Sequence, residues 1–233
     1  MRRIGFSTGA LAYADFRKAL QILSLTNIEV VELSALREAE LAPLAAAIDA
    51  LDLSQFKYVS IHAPSRFDPG NERQIVETLL AFSRRGWPVV VHPDTISVPS
   101  LWRPLGELLC IENMDTRKSI GRSAEELRQV FDDLPAASFC FDIGHARQFD
   151  STMTEAYLLL TAFGERLKQV HVSEVNTNGK HDVLSYTSIR AFREVAHLIP
   201  REIPLILETP TEEANVLAEL DLAIQALPVG VAA

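Results

Sequence analysis

Residues 138–145 read Ser-Phe-Cys-Phe-Asp-Ile-Gly-His, a short apolar run that ends in a carboxylate and leads into a segment with helical periodicity. Similar short runs recur along the chain. Apolar runs of this kind, without strict alternation, are typical of parallel strands that are covered on both faces. The eight predicted strands span residues 3–7, 28–33, 58–62, 88–92, 109–113, 138–142, 167–173 and 204–208.

Helical patterns separate these strands. They span residues 14–24, 38–51, 72–85, 99–109, 123–134, 154–165, 187–198 and 211–226. Eight strand–helix repeats joined by right-handed crossovers predict an α/β fold that closes into one (β/α)8 TIM barrel. The competing fold, a doubly wound open sheet, would favour a glycine-rich nucleotide turn, and the sequence contains no GxGxxG or GxxxxGK[ST] motif. No linker-like stretch divides the chain, so we expect residues 1–233 to form a single domain.

Composition narrows the classes of function. The chain of 233 residues is 48% hydrophobic and 23% charged, which suits a large buried core and excludes intrinsic disorder. Its net charge of −9 disfavours general nucleic-acid binding. We find no membrane-spanning run and no signal-peptide core, and Cys110 and Cys140 lie inside strands in no metal-binding spacing. We therefore expect a cytoplasmic protein with both cysteines in the core, while the oligomeric state is not predicted.

Polar side chains lie at the ends of six predicted strands, where apolar residues would be expected. They are His62, His92, Glu112, Asp142, His171 and Glu208. The carboxyl ends of barrel strands meet at one rim, so these side chains should face a common basin. No Lys or Arg stands at these ends to compensate the carboxylates, which makes a divalent cation the simplest counter-charge. The nitrogen and oxygen ligands suit Zn, Mn, Co, Fe or Mg, and a metal-free hydrogen-bond network is the alternative.

Six phrases on consecutive predicted strands resemble one family of enzymes. They are Ile61-His62-Ala63-Pro64, Val91-His92-Pro93, Ile111-Glu112-Asn113, Phe141-Asp142-Ile143-Gly144-His145-Ala146, Val170-His171-Val172-Ser173 and Leu207-Glu208-Thr209-Pro210. Together they resemble the xylose isomerase-like barrel superfamily, which includes sugar isomerases, epimerases and endonuclease IV. The resemblance spans nearly the whole chain and implies a fold more specifically than it implies a reaction.

The resemblance also implies one to three metal ions. Its main metal site would comprise Glu112, Asp142, His171 and Glu208. A second site would comprise His62 and His92 with Glu112 as a bridge. His145 and His181 match two of the three ligands of a third site. In place of the third ligand, an aspartate, this chain has Gly179, and Asp182 is a conceivable substitute.

Three functions follow as hypotheses. The first is a metal-dependent isomerase or epimerase of a sugar or similar hydroxyketone that acts through an enediolate. The resemblance implies that Glu112 and Glu208 exchange the α-proton and that His145 holds a substrate oxygen. A dehydratase or aldolase would share this chemistry. The second is hydrolysis of phosphodiesters at abasic sites, and the third is binding of a metal or small ligand without catalysis. We expect a small-molecule substrate and no membrane partner, and the net charge disfavours nucleic acid as a partner. The candidate outer contacts are Glu32, Arg66, Asn113, Arg147, Glu174 and Lys180.

Overall fold

The computed structural model of the protein describes residues 2–13 and 15–228. The barrel is built from eight parallel strands, namely β1 (Ile4–Ser7), β2 (Val30–Ser34), β3 (Tyr58–His62), β4 (Val89–Val91), β5 (Leu109–Glu112), β6 (Ser138–Asp142), β7 (Leu167–Val172) and β10 (Leu205–Leu207). They close in the spatial order β1-β10-β7-β6-β5-β4-β3-β2, with β2 paired to β1. The predicted α/β TIM barrel is confirmed, and each predicted strand lies within two residues of the observed one at either end.

Helices cover the outside of the barrel. They are α1 (Phe16–Ser24), α2 (Glu38–Ala47), α3 (Glu72–Ser83), α4 (Pro99–Trp102), α5 (Ala124–Asp133), α6 (Ile143–Phe149), α7 (Thr154–Phe163), α8 (Tyr186–Val195) and α9 (Val216–Ala226). None of the helices in the described ranges is long and apolar enough to cross a membrane.

Two predicted helix starts differ from the structure by more than one residue. Residue 14, where the first helix was predicted to begin, lies outside the described residues; α1 begins at Phe16 because the Asp15 side chain caps it by accepting from the amides of Arg17 and Lys18. The last helix was predicted to start at Thr211, but α9 begins at Val216. Thr211 instead forms a parallel bridge with Leu11 next to β1. This bridge joins distant parts of the chain, so a local pattern cannot predict it.

Two short elements at the carboxyl rim were not predicted. The helix α6 follows β6 directly, and the strands β8 (Glu174–Val175) and β9 (His181–Asp182) form an antiparallel hairpin after β7. Both are shorter than the windows in which hydrophobic periodicity is detectable. They matter for the site because they carry His145, Lys180 and His181.

The strands bury side chains on both faces. Outward-facing residues such as Leu109 and Ile111 pack against the helices in the main core, whereas Val90, Cys110 and Cys140 form a separate small cluster in the lumen. Both cysteines are fully buried, as expected. Because successive side chains alternate between faces, Glu112 faces the lumen two residues after Cys110. The lumen-facing side of β5 is therefore apolar at Cys110 and ends in the Glu112 carboxylate at the rim.

Candidate metal centre

Six polar side chains converge at the carboxyl rim of the barrel. Three of them end a strand, one is the next-to-last residue of β7, and two directly follow a strand; they are His62, Glu112, Asp142, His171, His92 and Glu208. All six are at most 9% exposed. The structure thus places in one basin the residues that the sequence predicted to share it.

Glu112 lies at the centre of this basin. Its Oε2 is 3.2 Å from Nε2 of His62 and 3.3 Å from Nε2 of His92. Its Oε1 is 3.4 Å from Nδ1 of His171 and 3.3 Å from Nδ1 of His145. One carboxylate therefore contacts four imidazoles, two through each oxygen. Oε2 of Glu112 thus faces His62 and His92, and Oε1 faces His171 and His145.

Three groups of side chains have ligand atoms that lie within 4.8 Å of one another. They are Glu112, Asp142, His171 and Glu208; His62, His92 and Glu112; and His62, His171 and Glu208. The donors are nitrogen and oxygen only, which suits Zn, Mn, Co, Fe or Mg. The first two groups are the two sites that the family resemblance implied.

Unpartnered atoms test whether a cation fits this centre. Nδ1 of His171, Oδ2 of Asp142 and Nδ1 of His92 are buried without a hydrogen-bond partner among the described residues. The first two belong to the four-residue group. A buried polar atom without a partner is costly, and a metal ion would satisfy a lone pair of each ligand. The residues of the four-residue group therefore fit a divalent ion.

Asp142 is held in place by the start of α6. Its Oδ1 accepts a hydrogen bond of 2.7 Å from the His145 amide as the N-cap of that helix, which leaves Oδ2 free. Asn113 clamps the same position, because its Nδ2 donates to the Asp142 carbonyl and its Oδ1 accepts from the Asp142 amide, both at 2.8 Å. The turn from β6 into α6 thus aims one carboxylate oxygen into the basin.

The main chain sets the tautomer of His62. Its Nδ1 lies 2.7 Å from the carbonyl oxygen of Ala63, so Nδ1–H donates to that oxygen, and Nε2, which faces Glu112, is the nitrogen that would give up its proton to a metal ion. A carbonyl in this position is a common partner of ligating histidines because it fixes the ring orientation. His62 is therefore prepared to offer Nε2 as a ligand.

Without metal, protons compensate the buried carboxylates. Burial opposes charge on His62, but the hydrogen bond and charge of Glu112 outweigh it and raise the pKa of His62 to about 9. Burial is likewise outweighed at His145, whose pKa rises to about 10 beside Asp142 and Glu112. Burial raises the pKa of Glu208 to about 8. In the metal-free centre these side chains therefore carry protons, and a bound metal ion would displace protons from its ligands.

In the third metal site that the resemblance implied, Nδ1 of each histidine already has a hydrogen-bond partner. His145 and His181 have ring centroids 5.4 Å apart, but Nδ1 of His145 lies 3.0 Å from the Asn113 carbonyl and Nδ1 of His181 lies 2.6 Å from Oγ of Ser173. Burial and the neighbouring His145 lower the pKa of His181 to about 3. Asp182, the suggested substitute, is exposed, and its Oδ1 accepts from the Val183 amide.

Gly179 shows why the missing ligand cannot simply be restored. Its φ is +68°, and a Cβ at this position would clash with Nε of Arg117. The space beside His145 that a side chain at 179 would enter holds the Arg117 guanidinium, which pairs with the buried carboxylate of Asp115. A ligand side chain at position 179 could therefore enter this space only if Arg117 moved.

Four of the predicted outer contacts lie away from the pocket. Glu32 and Asn113 are fully buried and do not line the pocket. Arg147 pairs with Glu174 at 3.2 Å, and Glu174 also accepts from the Ser185 amide. The sequence could not reveal these positions because each depends on a partner from another strand or helix.

Arg66 and Lys180, the other two predicted outer contacts, line a pocket of about 1010 Å³ above the metal centre. His62, His92, Glu112, His145, His181 and Glu208 line the same pocket. Most small-molecule sites are concave cavities of about 300–1,000 Å³. Several of the candidate metal ligands thus line a cavity with room for a small substrate.

Glu32 belongs to a buried network beneath His171. Its Oε2 lies 3.2 Å from Nε2 of His171 and accepts from Ser60 at 3.0 Å and from Nε2 of Gln169 at 2.7 Å. Tyr58 donates to Oε1 of Gln169 at 2.8 Å. With Nε2 directed at Glu32, His171 turns Nδ1 toward Glu112 and Glu208. Sequence reasoning missed this network, although Gln169 stands two residues before His171 on the same face of β7 and could have signalled it.

We expect Glu32→Gln to weaken metal binding by about 10-fold to 100-fold, the usual effect of changing a partner behind a ligating histidine. The neutral amide would support the Nε2–H tautomer of His171 less well, so Nδ1 would be a weaker ligand for the metal ion. Titration calorimetry with Co²⁺ would measure the change, and Glu77→Gln on the exposed face of α3 is the matched control. Equal affinity in the Glu32 variant and the wild type would contradict this role.

The comparisons with known proteins agree with this fold. The model of the family described as "Xylose isomerase-like TIM barrel" matches residues 101–227. No curated protein matches the chain. Similar solved structures include endonuclease IV from Thermus thermophilus, with 21% identity, 94% of this chain and 99% of that chain covered, and a TM-score of 0.59.

Two further similar structures come from other functional classes. A candidate sugar phosphate isomerase/epimerase from Anabaena variabilis shows 13% identity, 90% and 84% coverage of this chain and that chain, and a TM-score of 0.58. The 3-keto-D-glucoside 4-epimerase from E. coli shows 14% identity, 97% and 99% coverage, and a TM-score of 0.54. At these identities the likeness concerns the fold, and the reaction has to be argued from the site.

Proposed function

The chain belongs to the xylose isomerase-like TIM barrel family, and we propose that it is a divalent-metal-dependent isomerase or epimerase of a sugar or sugar-like hydroxyketone, with a role in carbohydrate metabolism. The observation that carries this proposal is a pair of buried carboxylates at the floor of the pocket. Oε1 of Glu112 and Oε2 of Glu208 lie 3.4 and 3.5 Å from the same atom, Nδ1 of His171.

The two carboxylates approach from nearly opposite sides of the barrel. Glu112 ends β5 and Glu208 follows β10, and two strands, β6 and β7, stand between them in the barrel order. A substrate carbon above this floor would thus have a proton acceptor on either side. One carboxylate can remove an α-proton and the other can return a proton to the same or the adjacent carbon, as isomerisation and epimerisation require.

The proposed metal ligands are Glu112, Asp142, His171 and Glu208. A bound divalent ion supplies Lewis-acid stabilisation of the negative charge that develops on the enediolate. His145, which lies 3.3 Å from both Glu112 and Asp142, is the proposed contact for a substrate oxygen.

A second candidate function is hydrolysis of phosphodiesters at abasic sites. The observation that favours it is the separate group of His62, His92 and Glu112, which provides ligands for a second ion next to the first. Ions held by this group and by the four-residue group would supply charge stabilisation for the attacking and leaving oxygens of a phosphodiester. The net charge of −9 weighs against it, because a DNA backbone needs several cationic contacts. Non-catalytic binding of a metal or small ligand is the remaining alternative.

Proton exchange in deuterated water tests the proposed function. Purified protein loaded with Mn²⁺, Co²⁺ or Zn²⁺ would be incubated with a panel of ketoses, ketose phosphates and keto-acids, and mass spectrometry would follow deuterium at the α-carbon. We expect incorporation into at least one substrate and its loss in Glu208→Ala. A dehydratase or aldolase on this scaffold would be recognised by its products.

The nuclease alternative is tested in parallel on duplex DNA with one abasic site. Cleavage of that DNA, weakened by rising salt and lost in Glu208→Ala, with no deuterium in any sugar, would replace the proposed function by the second candidate. His62→Ala separates the two reactions further, because only the two-ion reaction depends on that side chain. Metal binding without either reaction would favour the non-catalytic alternative.

A further inference from the structure

Basic side chains are concentrated around the pocket mouth, although the chain as a whole is acidic. Five basic residues line the pocket, namely Arg37, Arg66, Arg117, Lys118 and Lys180. Besides the metal-centre carboxylates Glu112 and Glu208, the only acidic residue of the described chain in this lining is Asp94. A protein with a net charge of −9 thus presents a locally positive mouth, and such a field draws in anions.

Not all of these cations are available to a ligand. Arg37 pairs with Glu40 at 2.9 Å, and Lys118 pairs with Asp94 at 2.7 Å. Within residues 2–13 and 15–228, neither Arg66 nor Lys180 forms an ion pair, and both are exposed. The positive charge at the mouth that no carboxylate pairs with therefore resides on Arg66 and Lys180, whereas Arg117 pairs with Asp115 and offers an unused N–H group.

Arg117 is held in a fixed orientation beside Lys180. Its Nε and Nη2 donate to the buried Asp115 carboxylate, and no acceptor within the described ranges bonds Nη1. The guanidinium lies against the bare Cα of Gly179, directly before Lys180 in the hairpin β8–β9. Asp115 in turn lies 3.8 Å from Nε2 of His145. One carboxylate and one imidazole ring thus separate this guanidinium from the metal centre.

We infer that Arg117 and Lys180 form a subsite for an anionic group, a phosphate or a carboxylate, carried by a small-molecule substrate whose reacting carbons lie over Glu112 and Glu208. The inference rests on the proposed function and specifies its substrate class. A guanidinium already fixed by a carboxylate loses little freedom when its remaining N–H binds an anion oxygen. The amine of Lys180 supplies the mobile second charge.

Arg66 provides a comparison within the same pocket. It follows β3, whereas Lys180 follows β7, and these strands are opposite each other in the barrel order. A localised anion beside Arg117 should depend on Lys180 and only weakly on Arg66. A general electrostatic attraction into the pocket would depend on both cations alike.

Calorimetry of the Mn²⁺-loaded protein tests the subsite. The probes are D-ribose 5-phosphate as a phosphate ester, D-gluconate as a carboxylate, inorganic phosphate as a free ion and D-ribose as a neutral sugar. We expect the phosphate ester or the carboxylate to bind at least about tenfold more tightly than D-ribose. Lys180→Ala should weaken that binding about fivefold, in the upper range for a partly exposed charge pair, and Lys180→Arg should restore most of it. Lys18→Ala, on the exposed face of α1, is the matched control.

Gly179→Ala is an independent variant that keeps every charge. Its methyl group would occupy the place of the Arg117 guanidinium, so anion affinity should fall while the metal content stays at the wild-type level. Equal affinity for charged and neutral sugars would overturn the subsite. So would unchanged binding in Lys180→Ala, an equal loss in Arg66→Ala, or tighter binding of abasic duplex DNA than of the sugar anions. None of these measurements requires turnover, so a failure of the proposed reaction remains distinguishable from a failure of the subsite.

Discussion

Replacing Glu112 with glutamine is expected to weaken metal binding by more than about 100-fold, since even changes behind a ligand reach that range. Turnover of the substrate should fall by more than about 10³-fold, because the same residue is proposed to transfer a proton. Both effects follow from the central position of Glu112 among the candidate ligands. Glu112 contributes to two of the three ligand groups, and its two oxygens contact four imidazoles. The amide would keep the shape of the side chain and remove its charge and one acceptor oxygen.

The variant is assessed by elemental analysis after gel filtration and by the deuterium assay. Glu77→Gln, an exposed change of the same kind on α3, should leave both unchanged. Circular dichroism of the metal-free proteins would show whether the fold is retained. Full metal content together with wild-type turnover in Glu112→Gln would remove the central carboxylate from the proposed mechanism.

Chelation is expected to lower the melting temperature by about 5 to 10 °C. An ion that binds only the native state at 100 times its dissociation constant adds about 2.7 kcal/mol to the free energy of unfolding. For a chain of this size, each kcal/mol corresponds to about 2–4 °C. Differential scanning calorimetry with bound Mn²⁺, and again after treatment with EDTA, measures the difference. Identical melting curves, with no metal found by elemental analysis, would contradict the metal centre.

The effect of the chelator should grow as pH rises from about 6 to about 8.5. A histidine whose pKa rises on folding stabilises the metal-free fold fully below its ordinary pKa of 6.5, and this stabilisation is lost as pH approaches the raised value. The raised pKa values are about 9 for His62 and about 10 for His145. A cation displaces such protons from its ligands, so its affinity increases with pH while the metal-free protein becomes less stable. A chelator effect that shrinks over this range would contradict the proton competition.

The fold and the outline of the metal centre were predictable because both depend on short-range patterns. The strand at residues 138–142 is recognisable from five consecutive residues, and its terminal Asp142 is placed at the carboxyl rim by strand direction alone. The same reasoning placed His62 and Glu208. A parallel barrel brings all carboxyl ends to one rim, so no knowledge of strand pairing was needed to group these residues.

The identity of neighbours within the centre depended on barrel closure. Glu32 on β2 meets His171 on β7, 139 residues later in the chain, because the closed barrel turns both side chains into one lumen. From sequence it was assigned to the outer rim. Asn113 was assigned there too, but it clamps Asp142 through the register of β5 and β6. Side-chain alternation predicts which face a residue lies on, but not which residue it contacts across the lumen.

The space beside His145 also shows the difference between what the sequence predicts and what the tertiary structure decides. From sequence, Gly179 was only the place of a missing metal ligand. The tertiary structure shows that the Arg117 guanidinium occupies that space. Arg117 lies in the loop after β5 and Gly179 in the hairpin after β7, and the barrel rim brings the two together. Local sequence determines the strands, the helices and the polar strand ends, since these depend on the periodicity of a few adjacent residues. Contacts between loops depend on strand register and closure over the whole chain, and these decided whether a metal ligand or a guanidinium stands beside the centre.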